Sequence, residues 1–361
     1  MNSILSDIID DALWAPTPDN IQAWDIQASS ENIFIRVATE KWCHPVDPHH
    51  HASILSLGAF IKYVKVAASH RQLSVRCTPL GPDWLSAQME LLDQPPTDPA
   101  LQKLYPALKT RRTDRRAYFA KALSSDLKEN LLKLNEQYET KAYFASPQAT
   151  SLWNYLRDSE KIFWSEPELI LETLKLVDFS GKIPKVGFGY KSAGLKESDA
   201  LAIRILKQRP KIFSWLLRHG LAHVLSQTQL KTYQQCSDLI LLTTPNSERR
   251  HLFTLGQHAA HLWLSLTEQG LSAQPLSFSS LSCFSQLQQD QPSEIIHRHQ
   301  QHFDNGLATL RQSFSTPKYE VPAWIFRIGY ASPLPKEMGV DRLRAEDVMS
   351  ISLTQQTMPM N

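Results

Sequence analysis

Two apolar segments that resemble each other, 198 residues apart, constrain the fold of this chain more than any other feature. The first begins at Leu57-Gly58 and reads LGAFIKYVKVAASHRQLSVRCTPL, and the second begins at Leu255-Gly256 and reads LGQHAAHLWLSLTEQGLSAQPL. A glycine this early in a long helix costs about 1 kcal/mol relative to alanine, so both positions predict close backbone packing. The repeat indicates two similar halves packed together within one chain. The alternative is two unrelated apolar helices that share a common pattern.

The composition favours a folded chain of two domains or one large one. The 361 residues are 42% hydrophobic, and 38 Lys and Arg against 36 Asp and Glu leave a net charge of +2. A chain with this balance is neither a polybasic nucleic-acid-binding protein nor a charge-rich disordered segment. We therefore expect no nucleic acid among its partners.

Cysteine usage and the N-terminal segment indicate the compartment. Cys43, Cys77, Cys236 and Cys283 form no C-x-x-C motif and fit reduced thiols better than a disulfide framework. The first 14 residues contain no Lys or Arg and three Asp, unlike a signal peptide. No apolar run approaches the roughly 18 residues that a membrane span needs. We expect a soluble, cytoplasmic protein with no membrane partner.

Helical and extended patterns alternate irregularly along the chain, which predicts the α+β class. Apolar residues with helical spacing predict a helix over residues 53–70 with one buried stripe, formed by Leu57, Ile61, Val64 and Ala68. The other predicted helices cover residues 4–14, 124–137 (with Ser124 or Ser125 as N-cap), 147–164 and 247–268. The predicted strands cover residues 24–28, 33–38, 88–92, 142–145, 239–243 and 323–330.

A proline-rich stretch at residues 94–99 predicts the boundary between two modules, one of residues 1–99 and one of residues 100–361. Residues 181–194 contain four of the twelve glycines, which predicts a mobile loop. We expect this loop to act as a lid, within an insertion around residues 163–220.

Three short segments together resemble the nitroreductase superfamily of flavin enzymes. They are APTPDNIQAW at residues 15–24, RRTDR at residues 111–115, and RIGY at residues 327–330 followed by DRLR at residues 341–344. The superfamily has a similar A-P-S-x-x-N-x-Q-P-W segment, an R-R-S-x-R phosphate-binding segment, and a C-terminal strand with a basic pair. The RRTDRR sequence resembles the Acg-like branch in particular, in which two nitroreductase modules are fused.

This resemblance implies a nitroreductase-like fold, with FMN as the cofactor. It also implies that two fused modules form an intramolecular pseudo-dimer, with central sheets flanked by long helices. The first module carries the Asn/Gln segment and the second carries the arginine segment, so the residues predict one complete flavin site per chain, between the halves. A protein whose dimer interface is internal could bind FMN as a monomer.

The residue types suit the expected ligand. Arginine can bind a phosphate group through two parallel hydrogen bonds, and side-chain amides suit the flavin ring edge or the ribityl hydroxyls. The side chains of Arg111, Thr113 and Arg115 alternate, which places them on one face of an extended segment. The expected cofactor-binding residues are Pro16, Thr17, Asn20, Gln22, Arg111, Arg112, Thr113, Arg115, Arg342 and Arg344.

An FMN-dependent oxidoreductase is the leading hypothesis that follows from the resemblance. Hydride or electrons would pass through N5 of the flavin to or from a small-molecule substrate, so no catalytic acid or base is named. Two alternatives stay open, namely an Acg-like flavin-sequestering protein with little NAD(P)H turnover, and a dehydrogenase that modifies a peptide or metabolite. The sequence leaves open whether NAD(P)H is the electron donor.

A cluster of metal-ligand residue types precedes the first long helix. Cys43, His44 and His49–His51 are interrupted by Pro45 and Pro48, and their spacing fits no zinc site. We therefore expect no metal.

Overall fold

Two main sheets and two long central helices organise the chain. The structure, a computed structural model, describes residues 2–29, 32–96, 98–145, 150–288 and 293–351. Helices and strands are mixed without regular alternation, which confirms the predicted α+β class.

In the first half of the chain, the described residues form two α-helices and four strands. They are α1 (Asn2–Ala12), β1 (Trp24–Ala28), β2 (Asn32–Val37), α2 (His51–His70), β3 (Ser74–Leu80) and β4 (Ser86–Leu92).

The second half begins after a 3₁₀ segment at Pro99–Ala107. Its first elements are α3 (Ser125–Leu132), β5 (Lys141–Ala145), α4 (Thr150–Ser165), α5 (Pro167–Lys175), β6 (Val177–Asp178), β7 (Phe188–Gly189), α6 (Glu197–Lys207), α7 (Pro210–Leu216) and α8 (Ala222–Gln234). They are followed by β8 (Asp238–Thr244), α9 (Arg249–Glu268), β9 (Ser272–Pro275), α10 (Ser277–Gln286), α11 (Glu294–Arg298), α12 (Gln300–Phe314), β10 (Val321–Gly329), α13 (Ala345–Val348) and β11 (Met349–Ile351).

The two halves have the same sheet topology. Leaving aside β11 and the small β6–β7 sheet, each half has two sheet strands before its long helix and two after it, and the last of these strands lies inside the sheet. The orders are β1-β2-β4-β3 and β5-β8-β10-β9, with neighbours antiparallel throughout. The final strand β11 pairs in parallel with β1, so the end of the chain returns to the first half.

The corresponding helices and strands of the two halves are separated by the same 198 residues as the sequence repeat. The helices α2 and α9 begin at residues 51 and 249, and the strands β3 and β9 begin at residues 74 and 272, so each pair is 198 residues apart. The turns that end the helices also correspond, because the N–H of Leu73 donates to Ala68 at 3.0 Å and the N–H of Leu271 donates to Leu266 at 2.8 Å.

The helices α2 and α9 cross at the two glycines of the repeat. A Cβ atom on Gly58 would lie 2.1 Å from the carbonyl oxygen of Phe253, and one on Gly256 would lie 2.0 Å from that of Leu55. Leu55 and Phe253 are themselves 198 residues apart, so the contact is reciprocal, as it would be across a twofold axis. The close backbone packing predicted from the two glycines is confirmed.

Helix α2 lies in the core of the protein. The predicted stripe of Leu57, Ile61, Val64 and Ala68 is buried. By length and composition α2 could cross a membrane, but 89% of its apolar stretch is buried inside the protein. The buried core helix of a globular protein can have the same length and apolar composition as a membrane span. The burial of α2 is that of such a core helix.

Most predicted elements are present, with shifted ends. Ser124 caps α3 by accepting from the N–H of Leu127 at 3.3 Å, but the helix ends at Leu132 and continues only as a 3₁₀ turn. The run over 239–243 lies in β8, which is paired on both sides. The start of the helix predicted over 147–164 falls outside the described residues.

Sequence patterns missed several elements, namely β3, β6, β7, β9, β11, the helices between β5 and β8 other than α4, and α10–α13. The predicted module boundary at residues 99 and 100 falls between β4 and β5 and stays a prediction.

Candidate functional site

The arginine-rich segment, residues 111–116, lies along the edge of the second sheet. Thr113 pairs with β9 in a parallel bridge, and the N–H of Asp114 donates to the same strand at 3.1 Å. The fully buried Arg327 of β10 donates to the carbonyls of Asp114 at 3.3 Å and Arg116 at 2.6 Å. The fold therefore holds the backbone of this segment in one register.

Arg111 reaches from this segment to the interface between the two central helices. Its Nε donates to the hydroxyl of Tyr63 on α2 at 2.7 Å, and its Nη2 donates to the carbonyl of Trp14 at 3.3 Å. The guanidinium carbon lies 4.3 Å from the ring centroid of Trp263 on α9, a cation–π contact. Both halves of the chain thus position one buried guanidinium.

Two further guanidinium groups join Arg111, and we call these three residues the arginine cluster. Arg112 lies 4.5 Å from the ring centroid of Trp14, and its Nη1 donates to the carbonyl of Arg111 at 2.8 Å. Arg342 is 5% exposed, and its Nη1 donates to the Oδ1 of Asn20. The Nε of Arg342 is buried, and no partner for it lies among the described residues.

The positive charges of the arginine cluster have no direct ion-pair partner among the described residues, although the charge of Asp341 acts on Arg112 and Arg342 from a greater distance. Burial, together with the charges of Arg111 and Arg112, lowers the pKa of Arg342 to about 9. Burial and the charge of Arg111 lower the pKa of Arg112 to about 10. In the part of the chain that the structure describes, no carboxylate oxygen lies within 4.0 Å of these three side chains. Buried charges of one sign are expected to attract a counter-ion.

The structure separates Arg115 from Arg111, although both were expected on one face. The Nη1 of Arg115 donates to the carbonyl of Ser192 at 2.8 Å, and its guanidinium lies 5.6 Å from the ring centroid of Phe188. Its electrostatic partner is Asp19, whose charge opposes the lowering of the Arg115 pKa by burial. The register imposed by β9 and Arg327 accounts for the divergence.

The remaining predicted residues also lie outside the arginine cluster. Arg344 is exposed, and its N–H donates to a carboxylate oxygen of Asp347 at 2.8 Å, at the start of α13. The hydroxyl of Thr17 accepts from the N–H of Gln22 at 3.3 Å, and Pro16 is half-buried beside it. Arg342 therefore lies in the cluster without its sequence neighbour Arg344. The roles expected of Pro16, Thr17, Thr113, Arg115 and Arg344 at a cofactor stay predictions.

The segment that contains Asn20 and Gln22 has an unusual backbone. Asp19, Asn20 and Gln22 have φ values of 46°, 57° and 51°. Non-glycine residues rarely adopt this left-handed conformation, and they keep it only where the surroundings hold it in place.

Hydrogen bonds from both amides join this segment to two others. The Nδ2 of Asn20 donates to the carbonyls of Lys185 (3.1 Å), Gly187 (2.9 Å) and Asp341 (3.2 Å). The Nε2 of Gln22 donates to Lys185 at 2.7 Å, and its Oε1 accepts from the N–H at residue 343 at 3.0 Å. The predicted lid and the segment that carries Arg342 therefore meet at these two amides.

We expect Asn20→Asp to loosen the loop around residue 187. The carboxylate keeps an acceptor for Arg342 but loses every bond donated to the loop, and it would face carbonyl oxygens. A loss of about 1.4 kcal/mol of local stability corresponds to tenfold faster amide exchange. Hydrogen exchange at Gly187, whose N–H donates to the Asn20 carbonyl at 3.2 Å, measures this. The exposed Asn130→Asp is the control, and unchanged exchange in Asn20→Asp would contradict the expectation.

Sequence reasoning did not identify Trp14, Tyr63 and Trp263 as neighbours of the arginine cluster. It named Arg327 in the RIGY segment but did not predict that this residue would hold the arginine-rich segment. Tyr63 and Trp263 both lie on the repeated helices, five and seven residues after the glycines. A buried Tyr hydroxyl usually needs a partner, so Tyr63 on a largely apolar helix was the available signal. Nothing local indicated that it would meet Arg111.

The residues of metal-ligand type do not assemble. Within the described ranges, no group of three or more His, Cys, Asp or Glu side chains could hold a metal ion. The four cysteines are free.

Comparison with known proteins gives matches among solved structures alone. No protein-family model and no curated protein matches the chain. A nitroreductase with bound FMN from Desulfitobacterium hafniense is 7% identical with a TM-score of 0.38, over 69% of this chain and 97% of that one. The FMN and NADPH-dependent nitroreductase NfnB from sphigopyxis sp. strain HMH is 15% identical with a TM-score of 0.36, over 68% and 97%. The nitroreductase-like protein from Bacillus cereus is 13% identical with a TM-score of 0.35, over 70% and 96%. Likeness at this level does not establish a shared fold, so the proposal below rests on the residues of the site.

Proposed function

We propose that this chain is an FMN-dependent oxidoreductase of the nitroreductase superfamily, and that the arginine cluster binds the FMN phosphate. One observation carries the proposal. The buried Arg111 and Arg342 meet the half-buried Arg112, no carboxylate among the described residues forms an ion pair with them, and the buried Nε of Arg342 has no partner there.

The chemistry of these donors fits a terminal phosphate. A phosphate dianion accepts several charge-assisted hydrogen bonds, and the planar guanidinium can supply two in parallel. The Nε of Arg342, which has no acceptor among the described residues, could donate to such a ligand. Tyr63 and Trp263 hold Arg111 in place from the two central helices, so the phosphate group would meet a prepared site.

The proposal includes one flavin site per chain, formed between two fused modules of the Acg-like kind. The shared strand order and the reciprocal crossing at Gly58 and Gly256 support an internal duplication. Asn20 and Gln22 come from the first half and Arg111 from the second. Asn20 accepts from Arg342, Gln22 accepts from the N–H of the next residue, and the charge of Arg111 acts on Arg342. Such a site would not require a second copy of the chain.

The segment at residues 184–192 is proposed to gate this site. Its carbonyls accept from Asn20, Gln22 and Arg115, so it covers the residues that were expected to touch the flavin. A direct role of the two amides at the flavin would require these carbonyls to move away. When bound, FMN would supply the hydride-accepting and hydride-donating chemistry. The chain would orient it, bind its phosphate and limit access by water and small-molecule substrates, with NAD(P)H a candidate electron donor.

Arginine substitutions test the phosphate assignment. We expect Arg111→Met and Arg342→Met each to weaken FMN binding by about one to two decades, because each loses charge-assisted hydrogen bonds worth roughly 1.5–3 kcal/mol. Quenching of FMN fluorescence on titration with purified protein measures the affinity. The control is Arg76→Met, since Arg76 is exposed on β3 and pairs only with Glu90 among the described residues.

Two results would count against the assignment. Unchanged FMN affinity in both variants would exclude the arginine cluster as the phosphate site. Equal losses in Arg76→Met would show that the effect is general electrostatics. Anaerobic addition of NADPH to the flavin-loaded protein then tests the oxidoreductase, because bleaching of the yellow colour requires electron transfer.

A further inference from the structure

A second basic site lies on the other side of the central helix pair. A cavity of about 370 Å³ is lined by Lys62 and Lys65 of α2, Gln257 of α9, and Tyr138 before β5. The rest of its wall is mixed, with apolar side chains at residues 73, 75, 96 and 101 and polar or charged ones at residues 74, 98, 137 and 254. None of these residues belongs to the arginine cluster.

The internal repeat relates this cavity to the arginine cluster. Tyr63 and His261 are 198 residues apart, and so are Lys65 and Trp263. Tyr63 binds Arg111 on one side of the helix pair, and the Nδ1 of His261 lies 3.1 Å from the Tyr138 hydroxyl on the other. Lys65 lines the cavity from the position that Trp263 occupies beside Arg111. The cavity is therefore the counterpart of the arginine cluster in the repeat, but its lysines stand where the other half has Ala260 and Trp263.

Lys62 is a buried residue whose ammonium group has no hydrogen-bond acceptor in the described part of the chain. It is 6% exposed, and its Nζ lies 5.2 Å from the ring centroid of Tyr138. Within the described ranges no acceptor lies at hydrogen-bond distance from this Nζ. The neighbouring Lys65 donates to the Oε1 of Gln257 at 3.0 Å.

The groups that face Lys62 leave the cavity short of negative charge. Tyr138 stacks on His258 at 4.5 Å between ring centroids, and the buried Nε2 of His258 has no partner among the described residues. The cavity's carboxylate, Asp98, accepts from the N–H of Ala100 at 3.0 Å. The titratable or charged groups that act on Lys62 or Lys65 or on their neighbours from the surrounding elements are Lys65, Cys77, Asp98, Tyr138, Lys141, His258 and His261.

We propose that this cavity binds a small organic anion, whose carboxylate or phosphate group pairs with Lys62 and Lys65 and whose apolar body packs on Tyr138. The charge of the site and the apolar part of its wall together favour this class over a neutral molecule or an inorganic ion. The site is separate from the proposed FMN site and does not depend on it.

Burial and the charge of Lys65 lower the pKa of Lys62 to about 7 in the free protein. A bound anion favours the ammonium form and raises that pKa, so binding takes up a proton when the pH lies above 7. The affinity should therefore be constant below pH 7 and fall by up to tenfold per pH unit above it.

Titration of the flavin-free protein with benzoate and with phenyl phosphate, by calorimetry, tests this proposal. We expect binding of at least one of them, no binding of neutral benzamide, and weaker binding at pH 9 than at pH 7. Lys62→Met should reduce the affinity at least tenfold, and so should Lys65→Met if the first variant fails to fold. The exposed Lys103→Met is the matched control. The head group of the tighter ligand identifies the anion class.

Several outcomes would overturn the proposal. They are the absence of binding by either anion at millimolar concentration, an affinity independent of pH between 6 and 9, and equal affinity in the wild type and both lysine variants. If Arg111→Met lost the binding and Lys62→Met bound the anion as tightly as the wild type, the anion would lie at the arginine cluster instead.

Discussion

We expect Gly58→Ala to lower the free energy of unfolding by about 3 kcal/mol, and Gly256→Ala to do the same. The alanine Cβ atoms would lie 2.1 Å from the Phe253 carbonyl oxygen and 2.0 Å from that of Leu55. Both obstacles are backbone atoms of the facing helix, so neither can turn aside and the two helices must separate. Overpacking of this kind costs about 1–3 kcal/mol and occasionally more, and it outweighs the gain of about 1 kcal/mol from better helix propensity.

Chemical denaturation of each purified variant measures this loss. The control is Glu268→Ala at the exposed end of α9, which should change stability by no more than about 0.5 kcal/mol. A stabilised Gly58→Ala variant would mean that the helices do not cross as described. Very different losses at Gly58 and Gly256 would contradict the reciprocal contact.

The second large effect is expected from Arg327→Met, at about 4 kcal/mol of stability. The guanidinium of Arg327 is fully buried and donates to four acceptors, and it lies 4.2 Å from the ring centroid of Tyr118. The acceptors are the Oε1 of Gln274 and the carbonyls of Asp114, Arg116 and Thr232. Methionine fills the volume but leaves these oxygens without a donor, at about 1 kcal/mol or more each.

The matched control is Arg311→Met. Arg311 is half-buried and its guanidinium donates to a single carbonyl, that of Glu320, so a loss near 1 kcal/mol is expected. Because Arg327 holds the segment that carries Arg111, the Arg327 variant should also weaken FMN binding under the proposed function. A variant with wild-type stability would show that water replaces the lost donors.

The central helix pair was the part of the fold that the sequence predicted best. Its two glycines stand in long apolar helices, where only a close contact compensates for their low helix propensity. Strands with alternating or fully apolar patterns, such as β1 and β8, were also predicted. The short strand β11 was missed because its pairing with β1 joins residues more than 300 positions apart, and no local pattern carries that information.

The sequence predicted most of the residues of the candidate site, but not which of them lie next to one another. Arg111 and Arg342 were both named, and the structure brings them together. Arg115 was expected beside Arg111, but its segment is held by β9 and Arg327, so its guanidinium reaches Ser192 instead. Alternating side chains share one face only where the segment is a straight strand. The segment at residues 111–116 bonds to β9 at one point and to Arg327 at another, so its side chains need not share a face.

By itself, the sequence determined the α+β class, the repeat and its close helix contact, and the presence of an arginine-rich segment. These properties follow from periodicity and from the conformational limits of single residues, which act within a few turns of chain. Only the tertiary structure decided which side chains lie beside each buried arginine or lysine. Arg342 joins Arg111, and Lys62 faces Tyr138, because packing of the two halves brings together groups that are far apart in the chain. Burial then changes the electrostatics of these groups, since a low-dielectric interior makes an uncompensated charge costly wherever the fold places it.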